Sequence, residues 1–191
     1  IRHLLNGATV KSHVMLSPML SGRRYNEGTD HLRSLLSPED QNILNETELT
    51  EAFSHSIYPQ GLPQPYLDIS QRFAAQHWCR TQPLPAAVQD AFGSIDPDLY
   101  QTLYGPEFFF IRGTLMDAEE HDSLHMIGAP TCILSGEHDW ITPDQISAMN
   151  EAIPVCEHHL ISNCAHLALH EAPEEHDARV GRFFERIDTG S

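Results

Sequence analysis

A chain of 191 residues with 40% hydrophobic side chains can fold around one sizeable core, which excludes a disordered chain. Its 27 acidic against 11 basic side chains give a formal charge of −16, which repels nucleic acid and anionic membranes and leaves no basic patch for either. No apolar run approaches the roughly 20 residues that span a bilayer, and no basic, then apolar, leader opens the chain.

Residues 1 to 10, IRHLLNGATV, read as a short core strand running into a glycine turn. Because the chain begins inside that strand, an upstream portion is expected. Residues 11 to 127 read as a helical region. Helical stretches are expected around EGTDHLRSLL, PEDQNILNETELTEAFSHSI, YLDISQRFAAQHWC and PAAVQDAF, with PQGLPQP and TQPLP as breaks, because proline cannot continue a helix. Residues 128 to 191 are the most regular. TCILSG, bounded by Pro130 and Gly136, reads as a strand buried on both faces of a parallel sheet. Thr142 then caps a helix with Pro143 at its first position and Gln145 three residues after the cap. A second strand is expected at 157–161, EHHLI. The final helix carries Val180, Phe183, Phe184 and Ile187 at i, i+3, i+4 and i+7, one apolar face. Strand, helix, strand, helix is an open α/β pattern.

In such sheets reactive side chains collect in the loops that follow the strands, where they are exposed yet held by a rigid scaffold. Asp139 and His166 occupy two successive loops of this kind, 27 residues apart. A carboxylate beside an imidazole fixes its tautomer and stabilises its protonated form, so the imidazole can draw a proton from a nucleophile. Either residue alone reads as a turn former or a surface histidine; the ordered pair carries the chemistry. A metal reading of His166, His170 and His176 fails, because there is no H-E-x-x-H and Pro173 interrupts the helix that would present them. Cys79, Cys132, Cys156 and Cys164 are irregularly spaced, with no C-x-x-C pair, so packed, reduced thiols in a cytoplasmic protein are expected.

GAPTCILSGEHDWITPDQISAMNEAIP followed by ISNCAHLALHEAPEEH resembles the carboxyl-terminal part of the proline iminopeptidase branch of the α/β-hydrolases, which are serine aminopeptidases and related amidases. In that branch a strand leads to G-E-x-D, x-x-T-P opens a helix, and a second strand leads to a C-S-H type loop; here these are GEHD, ITP and NCAH. YGPEFFFIRGTLMDAEEH is similar to a G-P-x-E-F-x-x-x-G-T stretch that returns from the helical cap to the sheet, and IRHLLNGAT looks like the strand after the nucleophile helix. The resemblance implies a partial α/β-hydrolase fold with an inserted helical cap, Asp139 as triad acid and His166 as general base.

Two departures bear on function. The family holds its substrate's free amino terminus with two glutamates. The first position is Trp140 here, and alignment on Gly105 and Gly113 puts Phe108 at the second, with Glu107 one residue early. Glu107, Phe108 and Trp140 are thus the candidate substrate-binding residues, and an apolar pocket favouring an uncharged or blocked substrate is expected. The nucleophile elbow G-x-S-x-G is also absent, since no two of the 11 glycines lie four apart, and there is no HGGG-type oxyanion stretch. The expected function is a portion of a serine hydrolase that cleaves an amide, peptide or ester bond, with the serine outside this chain. Two alternatives stand: a non-catalytic, truncated hydrolase-like protein that binds a ligand or partner, or a hydrolase fold recruited to small-molecule biosynthesis. A small-molecule or short-peptide substrate is expected, with no cofactor or metal. A missing hydrolase half, a partner chain or a second copy is the expected protein partner.

Overall fold

The computed structural model describes residues 9–56, 59–107 and 109–190. Its first strand, β1, is His13–Leu16, inside the stretch read from the sequence as a region of short helices joined by turns. The strand expected over residues 1–10 lies almost entirely outside the described residues. HVML is too short to display an alternation of its own, and its extended form comes from pairing. It runs parallel to β2, Thr131–Gly136, with His13 opposite Thr131 through to Leu16 opposite Leu134. β3, Cys156–Ile161, pairs with the other edge of β2, again in parallel, from Thr131 opposite Cys156 to Gly136 opposite Ile161. The sheet order is β1-β2-β3. Every residue of β2 is buried, as its unbroken apolar and β-branched run predicts for a central strand covered on both faces.

Among the described residues six helices separate β1 from β2: α1, Gly22–Ser34; α2, Pro38–Glu48; α3, Glu51–Ser54; α4, Gln64–His77; α5, Ala86–Gly93; and α6, Pro97–Leu103. Ser21 caps α1, its hydroxyl accepting the Arg24 N–H at 3.2 Å. α4 buries Tyr66, Ile69, Ser70 and Phe73, the i, i+3, i+4, i+7 face of a 3.6-residue period. α6 was not among the expected helices, although Asp96 accepts the N–H groups of Asp98 and Leu99 and Pro97 opens the first turn, both ordinary start signals. Two short 3-10 turns, Thr114–Asp117 and His121–Met126, lead back to the sheet.

Between β2 and β3 lies α7, Pro143–Ala152, started as expected by Thr142 and Gln145: the Gln145 Oε1 accepts the Thr142 N–H at 3.1 Å. α8, Ala168–Glu171, and α9, Pro173–Thr189, close the fold. The apolar stripe of α9 differs from the expectation at one position. Phe183 is buried and Val180 and Ile187 pack with it, but Phe184 is 43% exposed, because the sheet covers a narrower stripe than the sequence pattern offers.

Alternation along the strands divides the core in two. Met15 and Ile133 face the helical region and α7, joining Tyr66, Phe73, Phe109, Trp140 and Ile146. Cys132, Leu134 and Ile161 face the opposite side, against Ala168 and Phe183. Phe73, 1% exposed, packs its ring 5.1 Å from Phe109 and 4.8 Å from His77. Phe73→Ala is therefore expected to cost about 3–5 kcal/mol, read as a drop in thermal midpoint, while Phe184→Ala stays within about 0.5 kcal/mol. No helix among the described residues is long and apolar enough to cross a membrane.

Candidate active site

The loops that leave β2 and β3 lie side by side and are fastened backbone to backbone. Glu137 N–H donates to Ile161 O at 3.0 Å, and His138 N–H donates to Cys164 O at 2.8 Å. The Glu137 carboxylate, on the β2 loop, accepts the Asn163 N–H and the Glu171 carboxylate accepts the Ala165 N–H, so the loop that leaves β3 is held at two points by side-chain acceptors. Asn163 takes a left-handed conformation, φ 59°, which asparagine tolerates better than most side chains and which turns the chain back toward β2.

These turns bring Asp139 and His166 together. His166 Nδ1 donates to Asp139 Oδ1 at 3.0 Å, and the same oxygen accepts the Ile141 N–H at 2.9 Å. The Asp139 side chain is fully buried; that of His166 keeps 24% exposure. With Nδ1–H committed to the carboxylate, a neutral imidazole carries its lone pair on Nε2, the tautomer a general base requires.

The helical region completes the arrangement at the end of α4. The carbonyl of His77 accepts the N–H groups of Trp140, at 3.2 Å, and His166, at 3.3 Å; the carbonyl of Trp78 accepts the Leu167 N–H at 3.0 Å. The last carbonyls of a helix have no partner within it, and here the two loops supply the donors. The His77 ring donates from Nδ1 to His138 O at 2.9 Å, and burial pushes its pKa below the ordinary histidine value. Beside His166 opens a cleft of about 480 Å³, walled by aromatic side chains that include Trp78 and Trp140.

This fold has counterparts. No family model matches the chain. A proline iminopeptidase from Lactobacillus acidophilus is 25% identical over 182 residues, covering 94% of this chain and 58% of that protein. The crystal structure of a proline iminopeptidase from Mycobacterium smegmatis superposes with a TM-score of 0.82 at 28% identity, over 94% of this chain and 58% of the other. That of VinJ does so with the same TM-score at 27% identity, over 93% and 58%. The chain is a homologue of proline iminopeptidases with a partial α/β-hydrolase fold. It spans little more than half the length of these hydrolase relatives.

Within the hydrolase fold, the residues singled out from the sequence are placed differently from one another. Asp139 and His166 are joined. Trp140 forms one wall of the cleft, its ring centroid 5.1 Å from that of His166. Glu107 is fully buried, accepts a hydrogen bond from Ser70 Oγ at 3.1 Å, and is not among the cleft-lining residues. Phe108 lies outside the described residues. The sequence reading missed Trp78, Tyr25, Tyr100 and Tyr104 as cleft residues. Only the last two left a signal, a tyrosine pair four apart, Tyr100 within α6 and Tyr104 at its C-cap, whose rings stack at 5.0 Å.

His170 and His176, weighed as metal ligands, do not gather with His166; His176 Nδ1 instead bonds Asp177. Among the described residues, the three side chains close enough to share an ion are Cys132, Glu157 and His159. Glu157 already bonds His159 and is ion-paired with Arg186, whose positive charge opposes a cation there. The thiols are free. Burial pushes Cys132 up to about 12 and Cys156 and Cys164 up to about 11. At pH 8 these groups stay protonated, so iodoacetamide is expected to label the folded chain slowly and the unfolded chain completely, as counted by mass spectrometry.

Proposed function

We propose that Asp139 and His166 are the acid and the general base of a serine hydrolase that cleaves an amide, peptide or ester bond, its serine lying outside these 191 residues. The observation that carries this reading is the 3.0 Å bond between a buried carboxylate and a part-exposed imidazole, held beside an aromatic cleft by loops at the ends of adjacent parallel strands. The relationship to proteins named proline iminopeptidase supports it. In the reaction, Nε2 of His166 takes the proton of the serine hydroxyl as its oxygen attacks the substrate carbonyl. Asp139 stabilises the imidazolium. The imidazolium then protonates the departing amine or alcohol as the old bond breaks, and the cycle repeats with water to free the acid.

Among the described residues β1 pairs with β2 alone, which leaves its outer edge open to a further strand, consistent with a sheet that continues beyond this chain. The test is an assay of amino-acid arylamides and aryl esters. The 191-residue chain is expected to give background rates, and a form joined to a G-x-S-x-G-bearing hydrolase segment to give turnover. Turnover by the 191 residues that persists in His166→Ala would overturn the reading.

A further inference from the structure

Resting on that reading for the bond to be cleaved, we infer that the cleft beside His166 receives an uncharged apolar or aromatic group of the substrate and disfavours a free ammonium. About 480 Å³ suits a small-molecule group. Its walls are rings: Trp78 and Trp140 stack with centroids 6.4 Å apart, Phe92 meets Trp78 edge-on at 4.9 Å, and the stacked Tyr100 and Tyr104 line the same cleft. Such surfaces reward apolar and aromatic contact.

The nearby carboxylates are committed elsewhere or buried away from the cleft. Asp96 lines the cleft, but its Oδ1 accepts the N–H groups of Asp98 and Leu99 at the start of α6. Asp139 Oδ1 serves His166 and Ile141, and its Oδ2, though without a hydrogen-bond partner, sits on a fully buried side chain that does not line the cleft. Glu107 is sealed in the core with Ser70 on its Oε2. An ammonium entering the cleft thus sheds its water without gaining a dedicated anion, whereas a neutral group loses nothing comparable. Ring faces attract cations too, but less strongly than water solvates an ammonium, so the neutral group is preferred.

Trp78 and Trp140 are the two tryptophans of the chain, so intrinsic fluorescence reads the cleft directly. The 191-residue chain is titrated at pH 6, where an α-amine is protonated, with phenylalanine 4-nitroanilide and with its N-acetyl derivative. The acetylated compound is expected to quench with a Kd at least about tenfold lower. Equal or tighter binding of the cationic compound, or quenching by neither, overturns the inference. Leu99, 57% exposed at the cleft, offers a second arm that spares the core. Leu99→Glu, verified as folded by circular dichroism, should shrink the preference at least about threefold; an unchanged preference shows that charge is not its basis and overturns the inference as well. Binding needs no turnover. A complete hydrolase inactive on every substrate would therefore end the hydrolytic reading alone, and a preference for the cationic anilide would end this one alone.

Discussion

Asp139→Asn, made in a form joined to a G-x-S-x-G-bearing hydrolase segment, is expected under the proposed function to lower kcat by about three to four orders of magnitude while KM changes by less than about fivefold. Asp139 Oδ1 accepts two hydrogen bonds, from the Ile141 N–H and from His166 Nδ1. Asparagine has a single acceptor oxygen and an NH₂ group. If its oxygen stays with Ile141, the NH₂ faces the imidazole, which must then hold its proton on Nε2 and cannot act as a base. The cleft walls are untouched by this change, so ground-state binding survives. His166→Ala should cost a similar factor, and the double variant little more than either single one, because the two residues act as a unit. A fall of less than about tenfold in Asp139→Asn, measured as kcat on an arylamide or ester, would show that the pair is structural.

Gly136→Ala is expected to destabilise the fold by about 3 kcal/mol or more, lowering the thermal midpoint by roughly 6–12 °C. Gly136 ends β2, and a Cβ there would sit 2.2 Å from Ala165 O and 2.4 Å from Cys164 O. Both contacts are backbone, so no rotamer relieves them. The His166 loop has to move away, and with it go the His138 to Cys164 hydrogen bond and the alignment of Asp139 with His166. Folded molecules of this variant should therefore also lose the fluorescence signature of the cleft. Gly181→Ala is the control. It lies within α9 with nothing within 4 Å of the added methyl, and should be neutral or stabilise by about 0.5–1 kcal/mol.

Much of the fold could be read in advance because its signals are local. A continuous apolar run bounded by Pro130 and Gly136 announces β2, and Thr142 with Pro143 and Gln145 starts α7 through contacts three residues apart. The order of Asp139 and His166 on successive loops was legible for the same reason. β1 was not anticipated because four residues carry no period, and its extended form depends on a partner more than 100 residues away.

By its own sequence the chain determines an α/β pattern, a helical insertion, a carboxylate and an imidazole in hydrolase order, and a tryptophan immediately after the carboxylate. The tertiary structure alone decided that His77 and Trp78, at the end of α4, receive the backbone of both loops, that Trp78, Tyr100 and Tyr104 wall the cleft, and that Glu107 turns into the core. The reason is range. Capping, periodicity and strand runs act over a few residues, whereas the direction a side chain faces is set by whichever distant segment packs against it, and no short window of sequence contains that segment.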